Sequence, residues 1–144
     1  MEKTKNVFDI FDKDENFKLI MKHLLEASME ESFNSIMITK AEPGYPIIYV
    51  NPSCCEITGY GPYELLGKSP SILQGPKTDP AVLNRLNVAI AKGNLFYGRA
   101  INYRKDGSEF LMEWKIVPIR DEKNEVSHYL AIQRDVSLSS RQMG

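Results

Sequence analysis

The chain has 144 residues, 42% hydrophobic and 26% charged, with a formal net charge of −1. That length supports one domain with its own core plus short extensions. The near-neutral balance gives no electrostatic case for nucleic acid or an anionic membrane as partner. No apolar run approaches the roughly 20 residues of a spanning helix. The opening MEKTKNVFDIFDKDENF has no signal-peptide form, so the expected location is cytoplasmic.

In chain order, residues 1–13 are charged and weakly patterned and read as an arm. From Asn16 to Ser32, Phe17, Ile20, Met21, Leu24, Leu25 and Met29 recur at helical spacing, which predicts an amphipathic helix. With no bundle partner elsewhere, that helix must lie on the domain or on another chain. Two β-rich runs, Ile36–Thr39 and Ile47–Asn51, flank a Pro/Gly turn. Asn51-Pro52 marks a helix start, Thr58 to Pro62 is a breaker, and PYELLGK makes a helical turn ended by Gly67. Residues 79–92 form the clearest helix, with Asp79 as N-cap, Pro80 at the first position and Gly93 past the end. Its stripe is Leu83, Leu86 and Ile90, with Val82 and Ala89 beside it.

The last third predicts strands at 96–104, 109–119 and about 125–135. Asp106-Gly107 makes the first hairpin, and Asp121–Asn124 the second turn. The whole is an α+β architecture, with short helices on one face of a five-stranded antiparallel sheet. Residues 1–32 form the arm and helix, 33–137 the domain, and 138–144 a polar tail.

Adjacent Cys54 and Cys55 make a poor disulfide and too small a ligand set for a metal. They read as small buried packing residues. His23 and His128 have no ligand-type spacing and read as solvated. No nucleophile–base pair, metal cluster or Walker-type loop is present, so no enzyme is expected.

YPIIYVNPSCCEITGY, ELLGK, ILQGPKTDP, INYRKDGSEF and HYLAIQRDVS fall in the order of a PAS domain. They most resemble its flavin-binding LOV branch and related redox-sensing PAS domains, over about residues 33–137. The resemblance implies a PAS fold and a bound FMN or FAD. The LOV loop approximates G-R-N-C-R-F-L-Q-G, and Gly67–Gly75 (GKSPSILQG) lies on it without gaps. Pro70 then stands where that branch keeps its adduct-forming cysteine. Ser71 stands in place of a phosphate-binding arginine, and Asn87 falls where a second such arginine often sits. Asn102 aligns with an asparagine at the polar edge of the flavin ring. Gln133 aligns with the glutamine beside N5 and O4, and Gln74 with a glutamine near the ribityl chain. Met112 replaces a second ring-facing asparagine.

Side-chain amides carry a donor and an acceptor, and so can complement that ring edge. In the 109–119 strand, Phe110, Met112, Trp114 and Ile116 share an apolar face that should be interior. Trp114 reads as core filler; with a flavin bound it could stack or donate an electron, as could Tyr129 or Tyr103. Gln133 shares a face with Tyr129 and Ala131; the alignment, not the periodicity, makes that face the inner one. Leu111, Val117, Leu130 and Ile132 would form an apolar patch on the outer face, which marks an interface. The expected partner is a second copy, through the N-terminal helix and that face.

The resulting expectation is a sensory domain that senses light or redox state without a cysteinyl adduct, through turning of the Gln133 amide. The alternative is a cofactor-free PAS dimerisation or interaction module. No kinase, cyclase or DNA-binding segment follows Ser137, so the sequence names no effector.

Overall fold

The computed structural model describes Asn6 and residues 16–137. The expected arm, apart from Asn6, and the polar tail lie outside the described residues. The chain comprises two compact units, Met1–Glu31 and Ser32–Gly144. The first contains helix α1 (Phe17–Glu30), none of whose residues is buried. Leu24 and Leu25 of its apolar stripe are exposed.

The second unit runs β1 (Ser35–Lys40), β2 (Ile47–Val50), α2 (Pro52–Thr58), α3 (Pro62–Leu65), a 3-10 turn (Pro70–Leu73), α4 (Pro80–Lys92), β3 (Phe96–Tyr103), β4 (Glu109–Arg120) and β5 (Val126–Asp135). The strands form one antiparallel sheet in the order β2-β1-β5-β4-β3. The five-stranded α+β architecture is the one expected.

Local chemistry sets the helix ends. Asn51 Oδ1 accepts from Cys54 N at 3.0 Å, which caps α2, and also from Ile36 N at 2.8 Å. Its Nδ2 donates to Asn34 O at 3.0 Å. One buried amide therefore starts α2, as expected of Asn51-Pro52, and ties it to β1; the preceding strand ends one residue earlier than expected, at Val50. Asp79 caps α4 through Ala81 N at 2.9 Å. Gly93 ends that helix at φ +64, a conformation that favours glycine.

The helices pack on one face of the sheet in two apolar clusters. Met37, Ile47, Cys54, Leu65, Leu73 and Ala131 form the first. Phe96, Ala100, Phe110, Met112 and Trp114 form the second, against Val82, Leu86 and Ala89 of α4. Ile116 packs on both. Each fully buried aliphatic side chain contributes about 1.5–3 kcal/mol.

The outer face is less apolar than the pattern suggests. Leu111, Val117, Leu130 and Ile132 are half-buried. Beside them Glu113, on the outward register, is only 6% exposed. Tyr97 Oη donates to its Oε2 at 2.7 Å and Arg99 Nε does so at 2.7 Å. Arg134 Nε donates to Oε1 at 2.6 Å. Tyr97 first, then Arg99 and Arg134, hold the carboxyl well below its ordinary 4.5, at about 2.

Candidate functional site

A cavity of about 290 Å³ lies between the two clusters, bounded by the sheet, α4 and the 69–74 segment. Sheet register builds its floor. Ser35 pairs with Gln133, Gln133 with Trp114, and Trp114 with Gly98, so these residues share one inward row. The next row is Met37, Ala131, Ile116 and Phe96. A one-residue slip would turn every one of these side chains outward. Leu83, Leu86 and Ile90 of α4 form the opposing wall. The walls are largely aliphatic and aromatic, with a few polar groups, which is the composition of a small-molecule site.

All seven residues singled out in the sequence line this cavity: Pro70, Ser71, Gln74, Asn102, Met112, Trp114 and Gln133. Asn87 lines it too. Asn102, Met112, Trp114 and Gln133 are buried in its depth. Ser71, Gln74 and Asn87 are exposed at its mouth. Trp114 lies 5.3 Å from Phe96 at an interplanar angle of 53°.

The two deep amides are held differently. Gln133 Oε1 accepts from the Ser35 hydroxyl at 2.8 Å. Among the described residues Gln133 Nε2 has no hydrogen-bond partner; since no fully buried side-chain nitrogen or oxygen there is unpartnered, this donor is open to the cavity. For Asn102, the favoured amide orientation has Nδ2 donating to Ile101 O at 3.1 Å and Leu73 O at 3.3 Å. The opposite assignment would face the oxygen to those two carbonyls and leave only a 3.4 Å contact from Nδ2 to Met112 Sδ. With Nδ2 engaged, Asn102 offers the cavity an acceptor, Oδ1. Gln133 offers it a donor.

The loop after the 3-10 turn is pinned to β3. Thr78 Oγ1 donates to Ile101 O at 2.6 Å and accepts from Gly75 N at 3.0 Å. Tyr103 Oη accepts from Lys77 N at 2.9 Å. A Cβ at Gly75 would stand 2.3 Å from the Tyr103 ring, so only glycine permits this approach. Tyr103 is thus a loop anchor and is not a lining residue. Tyr129 does line the cavity, and its hydroxyl donates to Ile90 O at 3.2 Å.

Neither cysteine lines the cavity. Cys54 is buried, and burial pushes its thiol up to about 11, partly offset by a hydrogen bond with Ser35. Cys55 is only half-buried, contrary to the expectation of two buried thiols. His128 is likewise half-buried rather than solvated. Among the described residues no cluster of His, Cys, Asp and Glu could hold a metal, and no helix is long and apolar enough to cross a membrane.

Ser35, Met37 and Thr39 are lining or supporting residues that the sequence reading missed. The signal was present in SIMITK, where these three alternate with Ile36 and Ile38.

Comparison with known proteins gives a consistent picture. A family model described as PAS domain matches residues 34–137. Phototropin-2 of Oryza sativa subsp. japonica is 36% identical over 111 residues, covering 77% of this chain and 12% of that protein. The bacterioopsin transcriptional activator of Halobacterium salinarum is 41% identical over 117 residues, covering 81% of this chain and 17% of that protein. This chain thus matches only a small part of either relative. A solved structure described as "Flavin Analogue Sheds Light on Light-Oxygen-Voltage Domain Mechanism" is similar at a TM-score of 0.76 and 30% identity, over 86% of this chain and 93% of that one.

Proposed function

This chain belongs to the PAS domain family, with light-oxygen-voltage relatives, and we propose that it is a sensory domain that binds FMN or FAD non-covalently. In this reading it reports light or redox state without a cysteinyl adduct. The observation that carries it is the pair of deep amides. Gln133 Nε2, on a residue only 4% exposed, has no hydrogen-bond partner among the described residues and opens onto the cavity. Asn102 Oδ1 is an acceptor at the same cavity. A flavin edge presents one N–H donor between acceptors, which such a pair complements. A volume of about 290 Å³ lies just below the roughly 300–1,000 Å³ of ligand sites. Similarity to a light-oxygen-voltage domain whose description names a flavin analogue supports the same choice.

The non-covalent part rests on Pro70. It lines the cavity where the family resemblance puts the reactive cysteine, and both cysteines of the chain lie off the lining. Trp114 and Tyr129 line the cavity, as does Tyr45, and in this reading these oxidisable rings are the candidates to donate an electron.

A bound flavin supplies an N5 atom that accepts a hydrogen bond when oxidised and carries a proton when reduced. Gln133 answers by turning its amide. Nε2 then moves to donate to Ser35 Oγ, and Oε1 faces the cavity. The Ser35 hydroxyl, which now donates to Oε1, must then turn its proton to another acceptor. The change passes from β5 to β1, a local switch that biases a packed element.

We further assign the chain to a homodimer, with the apolar stripe of α1 and the outer-face residues Leu111, Val117, Leu130 and Ile132 as the surfaces offered. The second reading, a cofactor-free interaction module, is favoured by one observation: Ile101, Leu73 and Ser35 already engage much of the two amides. The deciding experiment is incubation of the purified chain with FMN or FAD, followed by desalting and quantitation of retained flavin. Near-stoichiometric retention, lost in Asn102→Leu/Gln133→Leu, supports the flavin site. No retention with either flavin favours the module.

A further inference from the structure

We propose, resting on the flavin reading above, that the mouth of this cavity takes an uncharged polyol tail, so that riboflavin is bound as well as its phosphorylated forms. Four side chains frame the mouth: Ser69, Ser71, Gln74 and Asn87. All are neutral. Ser69 Oγ accepts from Ser71 N at 3.2 Å and from Ser71 Oγ at 3.0 Å, so these two hydroxyls form a local pair around Pro70.

Hydroxyl and amide groups both donate and accept. A ribityl chain is a row of hydroxyls that do the same, so every group at the mouth can be matched in both roles. A phosphate is acceptor-only and carries about −1.5 to −2 charges. It would engage only the donor half of each neutral group, and its charge would find no counter-charge there. Bonds between a phosphate and a cationic donor, above all the bidentate ones of arginine, are the strong ones, and none of the four side chains at this mouth can make one.

Two basic side chains of the framing elements are engaged elsewhere. Arg85 of α4 reaches Tyr97 O at 3.4 Å and lies over the Phe96 ring, 5.5 Å from its centroid. Lys77 pairs with Glu109 at 3.2 Å. Lys68 and Lys92 do not line the cavity. A tail longer than the ribityl chain is therefore left to solvent, where its contribution to affinity is close to nothing.

The test is titration of the flavin-free protein with riboflavin, FMN and FAD, followed by flavin fluorescence at low and high salt. Riboflavin, FMN and FAD should bind within about threefold of one another, since a solvated charge adds little. Salt should change none of the three constants appreciably. Ser71→Arg or Asn87→Arg should raise FMN affinity about tenfold over riboflavin, by adding a cationic donor that can bond the phosphate bidentately. FMN binding to the unaltered protein more than threefold tighter than riboflavin, and weakening with salt, would overturn the inference while leaving the flavin site intact. Binding of none of the three overturns both.

Discussion

The Ser35 hydroxyl donates to Gln133 Oε1 at 2.8 Å, joining two buried residues 98 positions apart. The bond decides which end of the Gln133 amide faces the cavity. The β1–β5 register holds the two directly opposite one another, so the contact comes from the sheet rather than from local sequence.

Ser35→Ala removes that donor and leaves Oε1 buried without it. The expected loss is about 1–3 kcal/mol of stability, measured by urea denaturation. In the flavin-loaded protein the amide is then free to adopt either orientation, and the carbonyl vibrations of the bound flavin should broaden. An unchanged stability and unchanged vibrations would show that Ser35 does not set the amide.

Gln133→Leu keeps the shape of the cavity but abolishes the amide. Flavin should remain bound, weakened by about 1 kcal/mol for one hydrogen bond. The light- or reduction-dependent change, read by limited proteolysis or solution scattering, should be lost. A response equal to that of the parent protein would remove Gln133 from the switch.

Glu113 gives a pH signature. Its carboxyl is held at about 2 against an ordinary 4.5, chiefly by Tyr97 and Arg99. The fold therefore favours the ionised form, and the stabilisation is complete above the ordinary value. It drains away as pH falls toward the lowered one. The Tm difference between the parent protein and Glu113→Gln should be a few degrees near neutrality and shrink from about pH 5 downward. A difference that does not vary with pH would contradict an ionic role.

Leu25 of α1 is 63% exposed. Leu25→Glu should convert the proposed dimer to monomer in sedimentation, with the circular dichroism of the sheet retained. A parent protein that is already monomeric at high concentration would dispose of the homodimer.

Much of this fold is written locally. Asp106-Gly107 specifies the β3–β4 turn, with Gly107 at φ +87. Asp79 and Gly93 bracket α4, and Phe110, Met112 and Trp114 alternate inward as their spacing implies. What was illegible depends on register between distant strands. Nothing near Gln133 in sequence announces Ser35. Nothing near Glu113 announces that Tyr97, Arg99 and Arg134, from the two flanking strands, would converge on it. A carboxylate on an outward position reads as solvated, and only the cross-strand clamp makes it buried. The 3-10 turn at Pro70–Leu73 was missed for a different reason. It is one turn long, too short to show a period.

The most direct test of the central claim is the absorption spectrum of the flavin-incubated, desalted protein before and after blue light. The account predicts the structured blue band of a bound oxidised flavin. It also predicts reversible bleaching on illumination, without the near-ultraviolet band of a thioether adduct. A protein that stays colourless would contradict flavin binding, and an adduct band would contradict the cysteine-free site at Pro70.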